Sequence, residues 1–437
     1  MLKKNRAIAL TMLFCGLFLS SPETASAQRS QYKGPSVVAK FERGLWPEPV
    51  AGESGFDRAS RAAILIYAVE LEGMRNQSDE QMRSTFNVSI VNHGSVDKWI
   101  ARELTHSLRN YQFASRNCAE KDWTCVGGAG NPEELVALAG KLAVPAAFRT
   151  WQDNLREFVR EYLAEQLRLA AKFPRTTSEI DFFNDNEWNG DELEDRKFYL
   201  TFDDGPAGPG GTTEGVLEML QRHKKTGVFF VLGESFQNRL NRTSPDALAG
   251  LYRGQCIGSH GWQHQSHASW PYWETSVTRT ESLLQKVFGD SGELRPLFRP
   301  PYGQRKADSG DFFREQGLQV ALWNLDSQDW NNQVNPEDII NRMETLMLIK
   351  RHGVLLFHDI HPKARIALPV IFEEFGSAVD WGDCRQLGGA ENKPVRREEK
   401  RTDRSFGHSQ LLFLATEFET EIAIRAMLLA RFLIIFL

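Results

Sequence analysis

Two adjacent carboxylates end an apolar segment, and their spacing is the first sign of chemistry in this chain. Asp203 and Asp204 follow KFYLTF (197–202) and precede a Gly-Pro turn. Neighbouring carboxylates repel each other unless a cation or a proton lies between them. Successive residues of a strand point to opposite faces, so both side chains reach one site only if the strand turns there. The alternative is an ordinary Asp-Asp-Gly turn on the surface.

Two histidines with metal-ligand spacing follow the apolar segment CIGS. His260 and His264 stand four residues apart, so they share one face of a helical turn and can bind one ion. With Asp204 they form a two-histidine, one-carboxylate set, which serves water activation by Zn²⁺ and also non-haem Fe(II) oxygenases. His267 is a further candidate ligand, although we favour a surface position for it.

Three more polar clusters follow apolar segments: RPPYG (299–303), DSQDW (326–330) and LFHD (356–359). The two prolines of the first cluster fix the backbone, so the next N–H, on Tyr302, is held in one direction. A preset N–H suits an oxyanion hole. Six of the ten histidines lie between His260 and His361. Polar clusters at the ends of five apolar segments favour one shared site.

The segments that carry these clusters alternate between strand and helix patterns. The predicted strands are KFYLTF, GVFFVL, CIGSH, LFRPPY, QVALWNLD and GVLLFHD, and the predicted helices are TTEGVLEMLQRHK, SVTRTESLLQKVFG, ADSGDFFREQG and PEDIINRMETLMLIK. This alternation predicts an α/β fold with a parallel sheet or a β/α barrel. In such folds the chemistry gathers at the carboxyl ends of the strands, where these clusters fall.

The five clusters resemble the motifs of the polysaccharide deacetylases of carbohydrate esterase family four, the NodB-like domain. That family has T-F-D-D-G, H-[ST]-x-x-H, R-P-P-Y, D-x-x-D-W and L-x-H in this order, and this chain has a counterpart of each between residues 196 and 384. The resemblance implies a distorted (β/α)7 barrel. One departure is Gly261, where the family has a serine or threonine whose hydroxyl supports the loop between the two histidines.

The resemblance also implies a role for each motif residue. The implied general base is Asp203, which Arg299 orients, and the implied general acid is His358, which Asp329 tunes. The implied metal ligands are Asp204, His260 and His264. Tyr302 is implied as the oxyanion donor, and Trp330, Leu356 and Pro301 as substrate-binding residues. The implied cofactor is Zn²⁺ or another divalent metal such as Co²⁺.

The activity implied is a metal-dependent hydrolase that acts on carbon–nitrogen bonds other than peptide bonds. It would release acetate from the N-acetyl groups of a GlcNAc-type glycan, such as peptidoglycan, a chitin-like polymer or poly-GlcNAc. Two alternatives stay open: an acetyl-ester hydrolase on a polysaccharide, and an inactive glycan-binding module, because the Gly261 departure bears on the metal site.

The first 27 residues have the pattern of a signal peptide. Three basic residues precede an apolar segment from Ala7 to Ser20, and Ala25-Ser26-Ala27 is a typical cleavage site. We therefore predict an exported protein, periplasmic or extracellular, with an uncleaved anchor as the alternative. The net charge of −5 argues against a nucleic-acid partner, and no apolar run is long enough for an integral membrane span in the mature chain.

The remaining regions carry no catalytic pattern. Helical periodicity predicts a mainly α-helical accessory domain over residues 28–175, and the polar residues 176–195 read as a linker. Residues 385–437 are a charged segment and an apolar tail, either a peripheral amphipathic helix or a product of an altered reading frame.

Export permits disulfides. A Cys118–Cys125 bridge is an open possibility. Cys256 is expected to be a buried small apolar residue, with a Cys256–Cys384 bridge as the less favoured alternative.

Overall fold

The computed structural model describes residues 38–41, 45–119, 121–172, 181–289 and 291–388. The predicted signal peptide (1–27) and all but the first four residues of the tail (385–437) lie outside the described residues. Within the described ranges, the apolar helices are too short or too charged to cross a membrane.

The first part of the chain is helical, as the periodicity predicts. Its helices are α1 (Glu53–Arg75), α2 (Asp79–Phe86), α3 (His93–Ala114), α4 (Pro132–Ala139) and α5 (Arg149–Lys172). The side chain of Asn131 caps α4 by accepting from the N–H of Glu134. That helix ends at Ala139, with Gly140 as its C-cap, and α2 is an eight-residue helix too short for the sequence pattern to reveal.

The second part is a nine-stranded sheet in which every pair of strands is parallel. The strands are β1 (Glu187–Trp188), β2 (Lys197–Asp203), β3 (Gly227–Val231), β4 (Cys256–Ser259), β5 (Leu294–Phe298), β6 (Gln319–Ala321), β7 (Leu325–Asp326), β8 (Gly353–His358) and β9 (Asp380–Trp381). Their order is β1-β6-β5-β4-β3-β2-β8-β7, and β9 also pairs with β2. The sheet curls into a distorted β/α barrel, so the predicted α/β class and barrel type are confirmed.

Helices connect most of these strands. They are α6 (Thr212–Arg222), α7 (Gly233–Leu240), α8 (Pro245–Leu251), α9 (Trp273–Phe288), α10 (Gly310–Glu315), α11 (Pro336–Lys350) and α12 (Lys363–Phe375). The predicted α11 matches the structure residue for residue, because Asn335 and Asp338 form a capping box around Pro336 at its start.

The predicted strand QVALWNLD is split in two, and the split matters for the site. Its first half, β6, pairs with β5, whereas its second half, β7, pairs with β8 at the far end of the strand order. Among the described strands, β1 and β7 are the two ends of the order and do not pair with each other. The residues between Ala321 and Leu325 therefore cross the open seam of the barrel.

The N-terminal helices pack against the barrel through α11. A single apolar cluster contains Leu65 and Val159 from the helical part together with Met343 and Leu346 from α11. Buried ion pairs join the same surfaces, including Glu165–Arg342, Glu103–Lys350 and Asp57–Arg351. The division of the chain at residues 175 and 195 remains a prediction, but the two parts share one core.

Two sequence expectations need correction here. Within the predicted linker (176–195), Glu187–Trp188 forms strand β1, because its backbone pairs with Val320 and Ala321. Cys256 is bonded to Cys384 across a Cα–Cα distance of 6.0 Å, since the fold brings the start of β4 next to the end of the described chain. The Cys118–Cys125 bridge is also present, with a Cα–Cα distance of 5.6 Å.

Candidate active site at the carboxyl ends of the strands

The turn that the two adjacent carboxylates require is present. Asp203 is the last residue of β2 and is 3% exposed. Asp204 has a φ of 77°, in the left-handed region, so the chain leaves the strand direction at that residue. Its N–H still donates to the carbonyl oxygen of Phe230 on β3 (3.2 Å). The change of direction lets both carboxylates face the same end of the barrel.

Asp204, His260 and His264 converge on one point. One potential ligand atom from each side chain lies within 4.8 Å of the other two. The His260 Nε2 atom is 3.4 Å and the His264 Nε2 atom 3.5 Å from Asp204 Oδ1. The two histidines do not share a helical turn, as their spacing suggested. They lie on a bend whose second residue, Gly261, has a φ of +77°.

The hydrogen bonds of this cluster fit a bound cation. His260 Nδ1 lies 2.7 Å from the carbonyl oxygen of Arg299. Because a carbonyl only accepts, Nδ1 donates to Arg299, and Nε2 is the ring nitrogen directed towards Asp204. Asp204 Oδ1 is buried and has no hydrogen-bond partner among the described residues. A divalent cation would satisfy a buried carboxylate oxygen that faces two imidazole nitrogens in this way.

The protonation states also suit a ligand set. Burial lowers the pKa of His264 to about 4, so its ring is neutral at neutral pH. Burial alone would raise the pKa of Asp204, but His260 and His264 outweigh burial and hold that pKa well below its usual range. The cluster therefore has one negative carboxylate and a neutral imidazole available as ligands.

Arg299 links Asp203 to the seam of the barrel. Its guanidinium is fully buried and donates from Nη1 to Asp203 Oδ1 (2.9 Å). Its other donors reach the carbonyl oxygens of Ala321 and Leu322, each at 3.0 Å, where β6 ends and the seam begins. The same side chain thus fixes Asp203 and satisfies backbone groups that the split between β6 and β7 leaves without strand partners.

Asp329 and His358 form the second buried pair of the site. Asp329 Oδ1 lies 2.7 Å from His358 Nδ1, and Asp329 Oδ2 accepts from the His358 backbone N–H (2.9 Å). Burial would lower the pKa of His358, but the Asp329 carboxylate outweighs burial and raises that pKa to about 10. His358 is therefore charged at neutral pH, with Nδ1 committed to Asp329.

The other predicted site residues lie beside these pairs. Pro301 is buried, and Tyr302 adopts a φ of 59° in a short 3₁₀ turn that follows β5. The Tyr302 ring packs edge-on against His264, with ring centroids 4.2 Å apart. Leu356 is buried on β8, on the same face as His358, and Trp330 is half-buried directly after Asp329.

One residue of this region, Thr201, escaped the sequence analysis, and the surface position favoured for His267 was wrong. The Thr201 hydroxyl lies 2.7 Å from Arg299 Nη1 and donates to the Leu355 carbonyl (2.7 Å). Its position two residues before Asp203, on the same face of β2, could have indicated it. His267, expected at the surface, is fully buried, and it stands outside the metal-ligand cluster of the described residues. Its neighbours Gly261 and Ser276 explain the burial.

Part of this chain is similar to known polysaccharide deacetylases. Residues 190–321 match the family model described as polysaccharide deacetylase. The peptidoglycan-N-acetylglucosamine deacetylase PgdA of Listeria monocytogenes is 30% identical over 175 residues, which are 40% of this chain and 34% of that protein. Chitin deacetylase 1 of Saccharomyces cerevisiae is 35% identical over 169 residues, 37% of this chain and 52% of that protein.

A solved structure also matches: the family 4 carbohydrate esterase from Streptomyces lividans in complex with acetate. It is 25% identical, with a TM-score of 0.36, and the match covers 44% of this chain and 95% of that one. The matched part of this chain covers only 34% of the length of the Listeria relative. From the family match and the ordered motifs, the chain carries a NodB-like polysaccharide deacetylase domain of carbohydrate esterase family four.

Proposed function

We propose that this protein is a metal-dependent polysaccharide deacetylase that hydrolyses N-acetyl groups of a GlcNAc-type glycan and releases acetate. The observation that carries the proposal is the convergence of Asp204, His260 and His264 next to two buried, oppositely charged pairs. The named activities of the Listeria and yeast relatives, on peptidoglycan and chitin, support the glycan class.

Asp204, His260 and His264 would hold a divalent metal, Zn²⁺ or Co²⁺. When bound, the metal would supply water activation and polarisation of the acetyl carbonyl. Asp203 acts as the general base that accepts the proton of the attacking water. The Arg299 guanidinium, 2.9 Å away, fixes the orientation of the Asp203 carboxylate.

His358 acts as the general acid that protonates the departing amine. An amine is a poor leaving group unless it is protonated as the carbon–nitrogen bond breaks. Asp329 holds the Nδ1 side of the ring, so the proton to be delivered is the one on Nε2. Asp329 raises the pKa of His358, which keeps the proposed acid protonated at neutral pH, as general acid catalysis requires. The Tyr302 N–H would stabilise the oxyanion, and Trp330, Leu356 and Pro301 would line the acetyl site.

The predicted signal segment supports an exported enzyme that acts on glycans outside the cytoplasm. Its cleavage between Ala27 and Gln28 would remove three basic residues and one acidic residue, so the mature protein would be more acidic than the full chain. N-terminal sequencing of the secreted protein tests this part of the proposal.

Acetate release from defined glycans tests the activity. The metal-loaded protein is incubated with N-acetylated peptidoglycan fragments, chitooligosaccharides, poly-GlcNAc and acetylated xylan. We expect acetate from at least one of the N-acetylated glycans, and none from the same protein treated with a chelator. Release from acetylated xylan alone would replace the proposal with an ester hydrolase. A metal-loaded protein that binds glycans without releasing acetate would replace it with a binding module.

A further inference from the structure

The loop that carries His264 lacks the side chain that the family uses to support it. The family has a serine or threonine directly after the first histidine, and this chain has Gly261. The loop needs some other support, because His264 ends a bend rather than a helix and its side chain is partly exposed. A metal ligand on such a segment loses affinity when its orientation is not fixed.

Two residues from outside the motif supply hydrogen bonds on both sides of His264. The Trp262 N–H donates to Ser276 Oγ, on α9, at 2.7 Å. Ser276 Oγ lies 3.2 Å from His267 Nε2, and His267 Nδ1 lies 3.0 Å from the Gln265 carbonyl oxygen. These three contacts join the backbone two residues before His264 to the backbone one residue after it.

The direction of each of these hydrogen bonds follows from the two backbone groups at the ends of the series, the Gln265 carbonyl and the Trp262 N–H. The Gln265 carbonyl can only accept, so His267 Nδ1 donates, and a neutral His267 ring then accepts at Nε2. Ser276 accepts from the Trp262 N–H and donates its own hydroxyl hydrogen to that Nε2 atom. His267 is fully buried against Phe298 (ring centroids 5.4 Å apart), which suits a neutral ring.

The same chain of bonds explains why residue 261 is a glycine. A Cβ atom there would lie 2.8 Å from His267 Cε1 and 2.9 Å from both His267 Nε2 and Ser276 Oγ. The φ of +77° at Gly261 also disfavours any residue with a side chain. His267 and Ser276 therefore occupy the space that a family-type hydroxyl at position 261 would need.

We propose that Ser276 and His267 are positioning residues for His264, and that they replace the hydroxyl that Gly261 lacks. This inference rests on the proposed metal site, and it means that the departure at Gly261 leaves the site competent. The hydrogen bonds act through the backbone of Trp262 and Gln265, so neither residue is expected to touch the metal or the glycan.

Metal affinity tests the inference without any glycan. Co²⁺ is titrated into the full chain in the presence of a competing chelator, and the visible absorption of bound Co²⁺ reports its coordination. Ser276→Ala and His267→Ala are each expected to raise the Co²⁺ dissociation constant about 10–100-fold, the usual effect of losing a residue that orients a ligand. His267→Gln retains an acceptor for Ser276, so it is expected to lose less than His267→Ala.

Matched controls separate positioning from general stability. Ser282→Ala removes an exposed hydroxyl from the same helix, and His223→Ala removes an exposed histidine; neither is expected to change the dissociation constant. Thermal unfolding of each metal-free variant shows whether a change in affinity merely follows a loss of folded protein. Gly261→Ser, which restores the family residue, is expected to weaken Co²⁺ binding because its Cβ contacts His267 and Ser276.

The outcomes distinguish this inference from the proposed function. A parent protein that binds Co²⁺ while Ser276→Ala and His267→Ala bind it equally well would overturn the positioning roles alone. Tighter binding by Gly261→Ser would overturn them too. A parent protein that binds no Co²⁺ would overturn the metal site itself, and with it both proposals.

Discussion

Buried charges occur in two regions of this molecule, and they are arranged differently. Where the N-terminal helices meet α11, opposite charges are matched: Lys350 donates to Glu103, and the Tyr67 hydroxyl donates to the same carboxylate at 3.0 Å. At the carboxyl ends of the strands, acceptors face one another instead. Asp204 Oδ1 lies 3.4 Å and 3.5 Å from two imidazole nitrogens and has no hydrogen-bond partner among the described residues.

The difference shows that burial of charge alone does not mark a functional site. Glu103 and Asp204 are both carboxylates whose pKa is lowered against the effect of burial, yet Glu103 is neutralised by Lys350 within the chain. Among the described residues no lysine or arginine pairs with Asp204, which fits the metal site proposed above. Convergent acceptors, rather than perturbed pKa values, are the better sign of function here.

The largest expected effect concerns Asp203, the proposed general base. Asp203→Asn removes the proton acceptor but keeps the shape of the side chain, so we expect kcat for acetate release to fall by about 10²–10⁴-fold. Metal content should stay at the parent level, because Asp203 lies outside the ligand cluster of the described residues. Asp380→Asn, an exposed change on β9, serves as the control. Full activity with metal bound would show that Asp203 is not the base.

The next effect tests the buried charges where the N-terminal helices meet α11. Lys350→Met leaves Glu103 buried without its cation, so we expect the free energy of unfolding to fall by about 3–5 kcal/mol. Urea unfolding with an unchanged m-value measures it, and Lys286→Met, an exposed change on α9, is the control. Co²⁺ binding by the folded variant should be unaffected. A loss as small as that of the control would mean that Glu103 and Lys350 are not a coupled pair.

A third effect tests His358, the proposed general acid. His358 is protonated below its pKa of about 10, so the proposed acid function would be lost as the pH rises through that value. Asp329→Asn removes the carboxylate that raises this pKa, so the alkaline limb of the kcat/KM profile should move to lower pH by more than about one unit. A profile with the same alkaline limb in the parent and the variant would contradict this role of Asp329. Asp308→Asn, a change at the surface, is the control.

The smallest effect again concerns the contact between the N-terminal helices and α11. Tyr67→Phe removes one of the two donors to Glu103 described above but leaves Lys350 in place, so we expect a loss of about 1 kcal/mol in the free energy of unfolding. Tyr272→Phe, at a residue 66% exposed, should change nothing. If Tyr67→Phe cost as much as Lys350→Met, the hydroxyl rather than the ion pair would dominate the interface.

Much of the barrel could be predicted because its signals are local. Short apolar segments, helix caps such as Asn335, and polar residues at segment ends are all visible within a few residues. The expected strand-end placement of the motifs is confirmed for Asp203 and His358, which are the last residues of β2 and β8. Strand β1 was missed because two residues carry no periodicity, and their pairing with β6 depends on a partner more than a hundred residues away.

The sequence alone determined which chemical groups this protein has, their order, and the turns that follow them. The tertiary structure alone decided which groups meet: Arg299 reaches Asp203 across 96 residues of sequence, and Cys256 pairs with Cys384 across 128. It also decided that His267 is buried beside Gly261. Residue types and local propensities act over a few residues, whereas hydrogen-bond partners and ligand geometry depend on distances that exist only once the sheet has curled.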